Sequence, residues 1–226
     1  MKIFIKSSLF ILCLLLITTT GRAETLELDV AKDTFGGSNR RNRNSGGSPS
    51  LYMAHSPLLR TLTAFDLSGV TNRIIGAELV LQPDNTNDRP LNMVVCPMVN
   101  TAFNATWIEG SGALGARGRN ALVGEATFSR SAFPDVPWES ADGDALTGLE
   151  DERLWMPPAA RLNGISWKAG SAITMPLNAV PLLEKIRESE TPIITFGLWG
   201  TSGNGHYTFS SKESGQGASL VLTLEE

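Results

Sequence analysis

The C-terminal run ASLVLTL alternates Leu220, Leu222 and Leu224 with Ser219, Val221 and Thr223. A period of two puts the three leucines on one face of a pleated strand, whereas a helix would scatter them around its axis. The same alternation recurs with Ile75, Ala77, Leu79 and Leu81 in RIIGAELVLQ, with Ile173, Met175 and Leu177 in SAITMPL, and with Tyr207 and Phe209 in HYTFSS. LNMVVCPM and PIITFGLW are continuously apolar, the pattern of central strands covered on both faces. Glycine and proline punctuate these runs at intervals of roughly ten residues. Many short strands of this kind predict an all-β fold, a jelly-roll-like β-sandwich, and the length suits one core.

One segment has a different period. In NAVPLLEKIRESE, Val180, Leu183 and Ile186 fall on a single helical stripe, while Glu184, Lys185, Arg187 and Glu188 fall on the other faces. One short helix is expected from Ala179 to Glu188, with Asn178 as its cap. Gly110 to Asn163 is the least regular tract, and a stretch that long inside a domain is a functional or a mobile loop.

The N-terminus has the pattern of a secretory signal peptide. Lys2 and Lys6 precede an apolar run, Phe10 to Ile17, that is too short to span a bilayer, and Gly21-Arg22-Ala23 has small residues where a signal peptidase cuts. Cleavage after Ala23 predicts a secreted or periplasmic domain, residues 24–226, without a transmembrane segment. Losing Lys2, Lys6 and Arg22 leaves 16 basic residues against 23 acidic, a formal charge of −7. So acidic a chain lacks the positive field that nucleic-acid binding requires. Cys13 leaves with the signal, so Cys96 has no intrachain partner, and its apolar setting makes it a buried small hydrophobe.

The acidic chain nevertheless carries a basic loop. FGGSNRRNRNSGGSPS sets Arg40, Arg41 and Arg43 between two glycine pairs. Guanidinium groups pair bidentately with carboxylates, and uronic-acid polymers repeat one carboxylate per sugar. Lys32 upstream and Arg60 on the following strand would add charge if the loop folds back. The competing reading is a solvated turn that keeps a sheet edge from pairing with another chain. Replacing the three loop arginines by alanine should weaken polyanion binding and leave the melting temperature nearly unchanged, because exposed loop charges contribute little to stability. Sugar faces also stack on aromatic rings. Tyr52 follows the loop, and Trp138 and Trp155 lie in the irregular tract among acids and prolines, as surface residues would. Trp107 and Trp199 have the settings of core residues.

Four segments occur in a fixed order: LDVAKDTFGG with NSGGSPSLYMA, then LLRTLTAFDLSGV running into IIGAELVL, then ATWIEGSG, and at the end TFSSKESGQGASLVLTL. This order resembles the DNRLRE domain, carbohydrate-binding module family 96, over nearly the whole of residues 24–226. NSGGSPSLYMA has the form N-x-G-x-x-x-x-L-x-x-A through Asn44, Gly46, Leu51 and Ala54, with Ser45 where the family often has an aromatic residue. The naming hexapeptide is absent. The resemblance implies a secreted β-sandwich that binds polysaccharide, including the anionic alginate, without catalysis.

Two alternatives stand beside that reading, a structural or adhesive surface module without a glycan site and a small polysaccharide lyase. A lyase needs a Tyr/His pair beside a neutralising arginine. Tyr207 with His206 and Tyr52 with His55 supply the residue types, but adjacent strand residues point to opposite faces. A glycosidase needs two facing carboxylates, for which Glu109, Asp135, Glu139, Asp142 and Asp144 are present. No cofactor is expected. A structural calcium is the one metal the sequence suggests, on Asp142, Asp144 and Glu150, although the spacing is not that of an EF-hand.

Overall fold

The structure, a computed structural model, describes residues 23–56, 58–112, 118–145 and 151–226. The signal-peptide expectation falls on residues 1–22, outside the described residues. Among the described residues the strands are β1 (Ala23–Asp29), β2 (Lys32–Gly37), β3 (Arg43–Asn44), β4 (Ser50–Met53), β5 (Leu59–Asp66), β6 (Arg73–Leu81), β7 (Asn87–Pro97), β8 (Arg119–Asn120), β9 (Ala160–Trp167), β10 (Ile173–Pro176), β11 (Ile193–Gly203), β12 (Tyr207–Ser210) and β13 (Ser219–Glu225). A four-residue helix α1 (Ala102–Ala105) and the eight-residue α2 (Val180–Arg187) accompany them.

The fold is the expected all-β sandwich. One antiparallel sheet has the order β1-β13-β6-β10 and the other β2-β5-β11-β7-β9. The chain passes back and forth between them, from β5 to β6 to β7 and from β9 to β10 to β11, in jelly-roll fashion. Between the sheets lie the alternating residues of both: Leu79, Leu81, Leu220, Leu222 and Met175 from the first, Phe65, Met93, Val95, Phe196 and Leu198 from the second. The β4–β12 ladder adds Leu51, Met53, Tyr207 and Phe209 to the same core, all fully buried. Each large side chain removed from water contributes about 1.5–3 kcal/mol.

One phase of the alternation differs from expectation. Ile74, not Ile75, faces the core, and Ile75 is 45% exposed. Thr223 pairs with Gly76 and Leu224 with Ile74, so Ile75 is the extra residue of a β-bulge. A bulge shifts the side-chain phase by one, which a strict period-two reading cannot register.

The helix lies where its stripe placed it, with Leu183 and Ile186 buried. Asn178 does not cap it. Ala179 is the N-cap residue and makes no side-chain capping bond, while the Asn178 N–H donates to Ala159 O, 2.8 Å. Pro181 in the first turn lacks an N–H, so one fewer donor there needs a partner.

The irregular tract covers the outer face of the five-stranded sheet. Leu62 and Ala64 of β5, Val94 and Cys96 of β7 and Trp199 of β11 point away from the sandwich core, into a second cluster with Trp107, Phe128, Trp138, Leu154 and Trp155. This cap explains why β7 and β11 are apolar on both faces. Gly197 on β11 makes room for it: a Cβ there would stand 2.5 Å from Cη2 and Cζ3 of Trp155. Cys96 is buried and free, and burial pushes its thiol up to about 12, so it behaves as a packing residue. No described helix is long and apolar enough to cross a membrane.

Candidate functional site

The basic loop leaves the end of β2, an edge strand, and turns twice through the bonds from Arg40 N to Gly37 O, 2.9 Å, and from Arg43 N to Arg40 O, 3.0 Å. It is then fixed to the cap by a short ladder in which Arg43 pairs with Asn120 and Asn44 with Arg119. Asn44 is the hub of that attachment. Its Oδ1 accepts from Gly46 N, 3.1 Å, and Gly112 N, 2.9 Å, and its Nδ2 donates to Ala126 O, 2.9 Å, and to Glu109 O. All four capacities of the amide are used in a position with no solvent exposure. The other motif residues have structural roles too. A Cβ on Gly46 would collide with the Glu109 backbone, and Leu51 and Ala54 are fully buried.

The three loop arginines differ in their surroundings. Arg41 forms an ion pair with Asp144 yet keeps a side chain 53% exposed. Arg43 is half-buried and donates from Nη1 to Gly118 O, 3.1 Å. Arg40 is half-buried. The fold brings the backbone of two further arginines next to the loop, with Arg119 opposite Asn44 and so on the other face of the ladder from Arg43, and with the Arg130 guanidinium donating to Ser129 O and Pro134 O. Arg119 arrives through the β3–β8 ladder, paired with Glu125. Arg130 arrives because Ser129 N donates to Arg41 O, 3.2 Å. Burial pushes Glu125 up, but the Arg119 guanidinium and the N–H groups of Leu122 and Ser111 outweigh it, so this carboxyl is held below its usual range. The sequence reading did not single out Arg119 and Arg130. A signal was present in GARGRN, a second glycine-framed arginine tract.

Lys32 and Arg60 do not join this face. Lys32 donates from Nζ to Ala105 O, 3.0 Å, and Trp107 O, 2.9 Å, and lies 4.8 Å from the Trp107 ring centroid. Burial lowers its ammonium to about 8. Arg60 is 5% exposed, donates from Nη1 to Ala145 O, 3.1 Å, and stacks 4.5 Å from the Trp199 ring centroid. Both side chains alternate onto the cap side of their strands, so they anchor the cap. The expectation that they extend the basic surface is corrected on that ground.

Next to Lys32 lies a buried charged cluster built from three of the four sequence segments. The Asp33 N–H donates to Glu109 Oε1, 2.8 Å, its Oδ2 accepts from Lys212 N, 2.7 Å, and Lys212 Nζ forms an ion pair with Glu109 Oε2. Burial pushes Asp33 up to about 7, against the opposing hydrogen bond from Lys212 N. Burial alone would lower Lys212, but Glu109 holds it above its ordinary value. This cluster ties β2, the cap and the Lys212–Ser214 helical turn together.

The expected surface aromatics are corrected as well. Trp138 and Trp155 are each 1% exposed, inside the second cluster, and the Trp138 indole donates to Thr127 O, 2.7 Å. A sugar cannot reach either ring. Their acidic and proline-rich sequence surroundings belong to the outer surface of a cap whose inner surface they form. Tyr52 is half-buried, packed 4.8 Å from the Phe35 ring.

Tyr207 and His206 do not share a face. Tyr207 is buried and its hydroxyl donates to Arg89 O, while the adjacent His206 is exposed on the opposite face. Among the candidate carboxylates, Glu109 is committed to Lys212 and Asp144 to Arg41. The calcium expectation loses Asp144 by the same contact, and Glu150 lies outside the described residues. Among the described residues no group of three His, Cys, Asp or Glu is placed to hold a metal ion. The chain matches no protein-family model, and no curated protein matches it.

Proposed function

We propose that this chain is an exported, non-catalytic carbohydrate-binding domain for an acidic polysaccharide such as alginate. The observation that carries the reading is the arginine loop itself: Arg40, Arg41 and Arg43 stand on a backbone fastened to the cap by the β3–β8 ladder and the Ser129 N to Arg41 O bond, with the Arg41 side chain 53% exposed. Arg41 pairs with Asp144 and Arg119 with Glu125, and the Arg41 side chain stays 53% exposed on an acidic protein. Spaced guanidinium groups on a pinned backbone suit a polymer with a carboxylate on every sugar. Further support comes from the all-β sandwich and from the ordered segments that resemble carbohydrate-binding module family 96.

The test is titration of the purified protein with alginate and with a neutral glucan at two salt concentrations. Salt-sensitive binding to alginate alone is expected, because exposed charges are screened beyond about 8 Å at physiological salt. Binding to neither polymer, or equal binding to both, would sink the reading.

One observation favours a second reading. Arg41 and Arg43 are both tied to the cap, as in a surface module where the loop fastens one layer to another and touches no glycan. That module would bind neither polymer and would still lose stability when the loop arginines are removed.

A further inference from the structure

A groove of about 860 Å³ opens between the cap segment 152–158, the start of β9 and α2. That volume lies in the range of small-molecule sites, about 300–1,000 Å³. Its walls are aliphatic, formed by Val99, Met156, Pro157, Leu182 and Ile186. Arg161 on β9 and Lys185 on α2 flank these walls, and both are exposed. Neither makes a hydrogen bond or ion pair with a described residue. The acids on α2 leave Lys185 alone, because Glu184 and Glu188 are both held by Arg187. Among the described residues Glu152 is the one acid on the groove, against the two cations Arg161 and Lys185. Trp155 contributes to the floor, and its indole N–H, 1% exposed as a residue, has no acceptor.

The site is separate from the arginine face. Arg161 lies on β9 at one edge of the five-stranded sheet, and the basic loop leaves β2 at the other. The groove is also unlike a sugar site. Among the described residues the only aromatic ring on it is buried with its edge toward Gly197, so none of them offers an exposed ring for a sugar to stack on. Aliphatic walls with two exposed cations that bond no described residue fit a ligand that has an apolar body and one anionic end.

We infer that this groove binds a small amphipathic carboxylate, its acyl body against Met156, Pro157 and Leu182 and its carboxylate between Arg161 and Lys185. Charge-assisted pairing to a guanidinium gives the orientation, and aliphatic burial gives most of the affinity.

The experiment is calorimetric titration of the purified protein with octanoate, with octanamide and with a saturated uronate trisaccharide. Octanoate should bind at one site, about tenfold or more tighter than octanamide. The Arg161→Ala/Lys185→Ala double variant should lose that preference and still bind octanamide, which also shows that its groove is intact. The Arg40→Ala/Arg41→Ala/Arg43→Ala variant should bind octanoate as the parent does. No binding of octanoate at millimolar concentration, equal affinity for octanamide, or an unchanged octanoate affinity in the double variant would each overturn the inference. Displacement of octanoate by the uronate trisaccharide would overturn it too, by assigning the groove to an acidic sugar.

Discussion

Arg41 forms an ion pair with Asp144 across the junction between the basic loop and the cap, and the two ends of the pair lie in different media. The arginine side chain is 53% exposed, whereas the Asp144 side chain is 2% exposed. A carboxylate so deeply placed depends on its cation, while the cation keeps part of its surface in water. The same side chain can therefore hold the cap down and present charge outward.

Removing the loop arginines should then cost stability, contrary to what exposure alone suggests. Arg41→Ala leaves a buried carboxylate without this partner, and urea unfolding should show a loss of about 1–3 kcal/mol. Asp144→Asn should recover most of that loss in the double variant, because the buried charge is gone. A double variant as unstable as Arg41→Ala alone would show that the pair carries no such energy.

Arg40 is the cleaner probe of polyanion binding, since it is half-buried and, among the described residues, no ion pair or side-chain hydrogen bond ties it to the cap. Arg40→Glu should leave the melting temperature within about 2 °C of the parent, as surface substitutions usually do. It should weaken alginate binding several-fold at low salt and less at high salt. Unaltered affinity at both salts would remove Arg40 from the contact.

The strands and α2 were legible because burial on one face imposes a period on the sequence, as ASLVLTL and the Val180, Leu183, Ile186 stripe show. The Ile74/Ile75 exchange was not legible, because a bulge is set by the partner strand and leaves no local mark. Lys32 and Arg60 were misplaced for a related reason. A cation on a strand reads as surface unless the outer face of that strand is known to be covered, and here the cover is contributed by residues more than seventy positions away. Trp138 and Trp155 misled because their neighbours along the chain are solvent-facing while the rings turn inward. The Asn44 and Gly46 motif was visible, but its role as a hub required Glu109, Gly112 and Ala126 to be brought to it.

Asn44→Ala should be among the most damaging single changes. It removes four hydrogen bonds and leaves backbone groups of Gly46, Gly112, Glu109 and Ala126 without this partner in a dry site. Each buried group so stranded costs about 1–3 kcal/mol, and relaxation of the loop recovers part of the sum. A loss of at least about 3 kcal/mol is expected in urea unfolding, together with early proteolytic cleavage in the cap. Asn44→Asp keeps the acceptor for Gly46 and Gly112 but sets a carboxylate against two carbonyl oxygens, so it should not rescue. Near-parental stability in either variant would show that the cap is held elsewhere.

Asp33 gives the fold a pH dependence whose sign can be worked out. Its ordinary value is 3.8, and burial raises it to about 7 in the folded chain. Between those two values the native state binds the proton and the unfolded state does not, so stability falls as pH rises from about 4 to about 7. A single group contributes at most about 1.4 kcal/mol per pH unit to that slope. Lys32 acts in another window. Its folded value near 8 lies below its ordinary 10.5, so its contribution to stability rises with pH between those values and is flat below them. Asp33→Asn keeps an acceptor for Lys212 N and cannot ionise, so its stability should vary less steeply between pH 5 and pH 7 than the parent's, and it should exceed the parent at pH 7.5. Urea unfolding at pH 5, 6, 7 and 7.5 separates the outcomes, because parallel curves for the two proteins would mean that Asp33 titrates in the fold as it does in the unfolded chain.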